Sequence, residues 1–290
     1  NQMAMKRLTA FFMALFAMTA SMAQNQDSDR EAFTQAEWEI TDLGKGAQAM
    51  YAQIDMFNST QSISIVKYPA KKFRTEILHR PGESAGKPSE IGKEENAAFV
   101  LNGGYFHVKQ RIPSVYFRKG KEVLSHTHPT ELFRVDALLG FKDRKGRKAR
   151  IEAVTDTTLY SAADRRWHSS LASGPLLILD GDIVVQKTMN DTTTQFYDKR
   201  HPRAAFGTDE EGFHYLVVID GRFQGEADGT SIYETACMCE YIGMTEAINL
   251  DGGGSTTLWT EKTGVINHPH DNKKFDHEGE RTVPNMIAVY

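Results

Sequence analysis

Short β-branched and aromatic runs, cut every few residues by tight-turn residues, fill the chain from residue 37 onward. Runs this short suit strands rather than helices, and an Asp-Gly or Lys-Gly pair between two of them closes a hairpin. Hairpins are therefore predicted for Val115 to Phe117 with Glu122 to Leu124 through Lys119-Gly120, and for Leu176 to Leu179 with Ile183 to Val185 through Asp180-Gly181. A third joins Ala204 to Gly207 with His214 to Ile219, and single strands are expected at 246–250, 256–260 and 285–290. Helices are expected over 89–95, 159–170 and 231–243. The last opens with Ser231 and Glu234, the spacing of a capping box, and places Tyr233, Ala236, Cys237, Tyr241 and Met244 on one face. The fold class that follows is α+β: a mixed, largely antiparallel sheet built from hairpins with a few packed helices, one domain filling 37–290.

The N-terminus reads differently. Lys6 and Arg7 precede an apolar run from Leu8 to Met18, and Ser21, Met22 and Ala23 form a small-residue cleavage site. A signal peptide over 1–23 is expected, then a polar leader over 24–36, giving a periplasmic or secreted protein after cleavage near Ala23. The apolar run is about half what a spanning helix needs, so no membrane span is predicted. With 34 Lys plus Arg against 38 Asp plus Glu and no long basic run, nucleic acid is excluded as a partner. Cys237 and Cys239, the only cysteines, are too poorly placed for mutual bonding and are expected as reduced thiols, with Cys237 the more buried.

Glycine-marked strand ends gather the residues that can carry chemistry. Asn102, Gly103, Gly104 and Tyr105 follow one apolar run; taken alone, the Asn-Gly pair is also a common hairpin turn. His201, Pro202 and Arg203 precede another strand, and an arginine there offers a planar fork of donors to phosphate. Asp220, Gly221 and Arg222 end the most hydrophobic strand. Asp251, followed by Gly252, Gly253, Gly254 and Ser255, is the least ordinary stretch, because three successive glycines give up much conformational entropy and their amides can form an anion-binding nest. Glu280, Arg281 and Asn285 lie before the terminal strand. His126 with His128, and His268 with His270, lack an evident third ligand, so no metal is assigned.

LNGGYF at 101–106, SGPLLILDG at 173–181, HPRAAFG at 201–207, VVIDGR at 217–222, NLDGGGSTTL at 249–258 and RTVPNMIAV at 281–289 occur in an order that resembles the phosphodiester glycosidase domain, over about 96–290. The resemblance implies an exported hydrolase that cleaves the C1–O bond of a sugar 1-phosphodiester, with a sugar-phosphate or glycan as partner and no cofactor. It makes Asp251, Glu280 and Asp220 the candidate catalytic carboxylates. Asn102, Gly103, Tyr105, Arg203, Gly252, Gly253, Gly254, Ser255, Arg281 and Asn285 become candidates for binding substrate or phosphate. Asn102, Arg203, Asp220, Asp251, Glu280 and Arg281 are expected to converge on one pocket. The alternative is a non-catalytic glycan or envelope-polymer binding protein on the same scaffold, favoured if two carboxylates do not meet or if Trp167 or Trp259 forms an exposed platform. A phosphodiesterase that breaks the P–O bond is a third reading.

Overall fold

The computed structural model describes residues 26–185 and 194–290. The expected signal peptide lies outside the described residues. Among the described residues every paired strand is antiparallel, and the strands form three larger sheets and one small ribbon. The first sheet has eight strands in the order Glu39–Gly44, Ala47–Met56, Ser59–Pro69, Phe213–Ile219, Arg203–Thr208, Glu246–Asn249, Leu176–Leu179 and Asp182–Ile183. The second orders Ala149–Ala153, Ala137–Phe141, Ser169–Ser173, Phe117–Lys119 and Glu122–Ser125. The third orders Gly264–Val265, Leu258–Thr260, Phe99–Asn102, Asn285–Val289 and Thr75–His79.

Alternation along the central strands explains the layering. Phe206 and Val218 face a core shared with Phe141 and Leu171 of the second sheet and Leu101 and Ile287 of the third. Their neighbours Ala205, Val217 and Ile219 face the opposite side, against helix Ile232–Ile242. Each large side chain so buried contributes about 1.5–3 kcal/mol, so a one-residue slip of register would exchange both faces at once. The Asp180-Gly181 turn has positive φ at both residues, +52° and +86°, matching the twist of its flanking strands.

The capping box forms as expected: Ser231 Oγ accepts from the Glu234 amide, Glu234 returns a bond to the Ser231 amide, and Gly243 closes the helix in a left-handed conformation. Both cysteines are free and buried. Cys239 is as inaccessible as Cys237, because the helix is covered on two sides and its buried set runs from Thr235 through Cys239. Tyr233 and Tyr241 are only partly buried.

Two segments depart from expectation. Residues 159–170 hold one helical turn, Tyr160–Ala163, which ends at Asp164; Ser169–Ser173 is instead a buried strand between Ala137–Phe141 and Phe117–Lys119. Asp164 accepts from Arg118 Nε at 2.8 Å, and this ion pair fixes the chain where the helix would have continued. The polar leader contains a helix at 26–35 that docks on Ile232–Ile242. Phe33 packs at 5.2 Å from Trp38, Arg30 pairs with Glu240 at 2.9 Å, and Asp29 accepts from the Phe57 amide. Among the described residues no helix is long and apolar enough to cross a membrane.

Candidate active site

Strand register assembles the site. Asn249 is paired with Ala205, so Asp251, two residues on, comes out beside Arg203; Ile219 is paired with Arg203 on its other side, so Arg222 follows next to both. Three adjacent strand ends of the first sheet thus deliver Asp251, Arg203 and Arg222 to one place. The third sheet closes the back. Asn102 Nδ2 donates to the Asp251 carbonyl at 2.6 Å, the Asp251 amide donates to the Gly103 carbonyl at 2.9 Å, and Asn102 Oδ1 accepts from the Thr257 amide at 3.1 Å. Asn285 Oδ1 accepts from the Gly104 amide, and a Cβ on Gly103 would collide with Asn285.

These ends surround a cavity of about 240 Å³ lined by Tyr105, Arg134, Phe196, His201 to Arg203, Arg222, Asp251 to Gly254 and Arg281. Among the described residues, four arginines and a single carboxylate line this cavity. Burial pushes the Asp251 carboxyl up to about 6; the Ser255 hydroxyl, Arg134 and Arg281 pull the other way, and Glu131 adds to the rise. His201 is held down to about 4, first by burial and then by Arg203 and Arg222, and is a neutral imidazole at pH 7.

The four arginines are held differently, which separates support from binding. Arg203 is buried; its Nε donates to the Thr230 carbonyl at 2.9 Å and its Nη2 to the Phe196 and Lys199 carbonyls at 2.8 and 3.0 Å. Arg134 lies 3.8 Å over the Tyr105 ring and donates to Glu131 at 2.7 Å. Arg281 is paired with Asp271. Arg222 meets only the neutral His201 Nδ1, at 3.3 and 3.4 Å, and has a φ of +67°, unusual for a residue with a side chain. Among the described residues, its charge is the one in the cavity left without an acidic partner or a carbonyl.

The glycine run lets these groups approach. A Cβ at Gly252 would stand 2.5 Å from the Pro202 carbonyl oxygen, one at Gly253 would stand 3.2 Å from Arg222 Nη2, and one at Gly254 would strike Arg281. Much of the expected nest is committed to the fold: the Gly253 amide donates to Pro202, Ser255 to Gly252 and Thr256 to Gly253. Ser255 is fully buried.

Two expected catalytic carboxylates are not in this cavity. Asp220 is buried and accepts from Ser62 Oγ, Asn267 Nδ2, the His268 amide and His268 Nδ1 at 2.8–3.1 Å. Glu280 turns to the start of helix Pro88–Glu94, accepting from the Ser89 amide at 2.9 Å and from its hydroxyl. A strand-end position left their side-chain direction open, and each carboxylate found fixed donors elsewhere. Asn102, Gly103 and Asn285 brace the site from behind. Arg134 and Phe196 also line the cavity although neither is marked by a neighbouring glycine or motif, and Arg222 of the VVIDGR stretch joins them.

The model of the phosphodiester glycosidase family matches residues 95–290. The chain belongs to that family. Two solved structures share its fold at a TM-score of 0.65. The catalytic domain of zebrafish N-acetylglucosamine-1-phosphodiester alpha-N-acetylglucosaminidase, auto-inhibited by its pro-peptide, is 17% identical, with 88% of each chain covered. A hypothetical protein from Synechocystis is 14% identical; the alignment covers 87% of this chain and 63% of that one. A Burkholderia pseudomallei protein named as exported is 14% identical over 81% of this chain and 75% of its own, at a TM-score of 0.51. No curated protein matches the chain.

Proposed function

We propose that this family member is an exported hydrolase that cleaves the C1–O bond of a sugar 1-phosphodiester. The observation that carries the proposal is the cavity in which Arg134, Arg203, Arg222 and Arg281 face one carboxylate, Asp251. A phosphate diester is an anion, and a guanidinium fork matches its oxygens. The N-terminal charge and hydropathy pattern supports export.

In the proposed step the C1–O bond breaks and its electron pair stays with the phosphate oxygen, while a water oxygen bonds to C1. The products are the free sugar, a phosphomonoester and one proton. The leaving phosphomonoester is acidic enough to depart as an anion, so no acid need protonate it, and the arginines stabilise the charge as it develops. Asp251 faces the positive charge at C1 and accepts the proton of the attacking water, a task suited to a carboxyl near 6. Glycosidases usually need two carboxylates; an anionic leaving group removes the need for one of them.

The zebrafish relative's name supplies the first substrate to try, an N-acetylglucosamine 1-phosphodiester. Hydrolysis in ¹⁸O-water should place the label in the sugar; label in the phosphate would mean P–O cleavage and overturn the proposal. The second reading, a silent binding protein, draws on the single carboxylate that lines the cavity among the described residues. Its other marker is missing, since Trp167 and Trp259 are buried. Tight binding of the same diester without turnover would establish that reading instead.

A further inference from the structure

An aromatic path leads out of the arginine cavity. Tyr105 lies at its floor, 1% exposed, with its ring 6.3 Å from that of half-buried Phe196. Phe196 in turn meets Phe133 edge to face at 5.6 Å. Phe133 is 41% exposed and the adjoining Leu132 50%, two of the few large apolar side chains left open to solvent among the described residues. Arg134 runs alongside, with its guanidinium 3.8 Å from the Tyr105 ring centroid and 5.3 and 5.4 Å from those of Phe133 and Phe196.

The exposure of Phe133 is built in rather than a loose end. Its carbonyl accepts from Tyr197 Oη at 3.2 Å, the Phe196 carbonyl accepts from Arg203, and Arg134 is tied to Glu131. Three contacts from separate parts of the chain hold an apolar surface open at the mouth of a cationic site. Water-exposed apolar surface that is held in place and adjoins a ligand cavity marks a recognition site.

We propose that this path binds the alcohol half of the phosphodiester, and that the substrate class is a sugar 1-phosphodiester of an apolar alcohol. The proposal rests on the hydrolytic reading above. A phosphate held by the arginines projects two ester oxygens, one to the sugar beside Asp251 and the other to its alcohol. The sugar needs hydrogen-bond partners for its hydroxyls, and the side chains of Leu132, Phe133 and Phe196 supply none. An alkyl or aryl chain needs only area, and it finds a continuous apolar strip starting beside the phosphate.

The test uses methyl, propyl and hexyl phosphodiesters of N-acetylglucosamine 1-phosphate, below the concentration at which the longest aggregates. Full burial of one methylene corresponds to about a fourfold gain, so partial burial on this strip should raise kcat/KM about twofold per carbon, mainly through KM. Phe133→Ser and Leu132→Ser, both at exposed positions, should bring the hexyl-to-methyl ratio toward one. Equal turnover of all three esters by the natural protein would overturn the proposal and leave the hydrolytic reading standing. An equal loss on methyl and hexyl esters in the Phe133→Ser variant would also overturn it, because the ring would then serve the sugar or the fold. If none of the esters is cut, the hydrolytic reading fails and this inference falls with it.

Discussion

Gly253 and Arg222 face each other so closely that a methyl group added to Gly253 would lie 3.2 Å from Arg222 Nη2. Gly253 also has a φ of +61°, which a side chain would oppose at a cost of about 1–2 kcal/mol. Gly253→Ala should therefore destabilise the loop and displace the guanidinium together. The expected outcome is a lower Tm and at least tenfold lower kcat/KM, measured on an N-acetylglucosamine phosphodiester.

Arg222→Lys isolates the second of those effects. A point charge would replace a two-pronged donor at the arginine that has no acidic partner. Turnover of the diester should fall about tenfold or more with little change in Tm, and an aryl glycoside of the same sugar should be much less affected. Thermal unfolding and steady-state kinetics on both substrates decide it.

Arg203→Lys should behave in the opposite way. The buried guanidinium serves three main-chain carbonyls, and lysine cannot reach all three. Bonds from charged donors are worth about 1.5–3 kcal/mol each, so a total loss of about 3 kcal/mol is expected by denaturant titration. A variant as stable as the natural protein would show that those bonds are dispensable.

Asp251→Asn should lower kcat by about 100-fold or more. In the natural protein kcat/KM should fall about tenfold per pH unit below about 6, as the carboxylate takes up a proton. The stability effect has a definite sign. The folded carboxyl titrates near 6 and the unfolded one near 4, so this group's contribution to stability is greatest below about pH 4 and declines as pH rises to about 6. The asparagine variant lacks this decline and should be more stable at pH 7, by about 1–3 kcal/mol. A pH series of unfolding curves for both proteins measures the difference.

Glu280→Gln tests a carboxylate that the fold uses elsewhere. Its contact with the first turn of helix Pro88–Glu94 should be worth about 1 kcal/mol. The folded variant should keep its kcat within about twofold. A hundredfold loss would return Glu280 to the chemistry.

Much of the fold was legible because alternation and turn chemistry agree, as in Leu176–Leu179 with its Asp-Gly turn. Ser169–Ser173 was not, since a buried strand rich in serine loses the apolar pattern that would reveal it. Among residues 26–35 Phe33 is the only buried side chain, too little to mark a packed face in a polar segment. In the site, Asp251 and its glycines were visible because close backbone approach requires glycine. Arg134 sits in a turn beside Glu131 and Phe196 in the short helix Thr194–Tyr197, and neither position has a glycine or motif residue next to it to mark it. Asp220 and Glu280 show the other side of this: the sequence places a carboxylate at a strand end without saying which donors will capture it.

The Asn102 carboxamide, bonded to both the Asp251 carbonyl and the Thr257 amide, also bears on how the molecule comes into being. Its partners lie about 150 residues downstream, and the cavity beside them draws residues from Tyr105 to Arg281. Closing loops of that length is slow compared with forming local hairpins. During refolding, hairpins such as Leu176–Leu179 with Asp182–Ile183 can form well before any anion site exists. Recovered affinity for a phosphodiester would then mark the last event in folding.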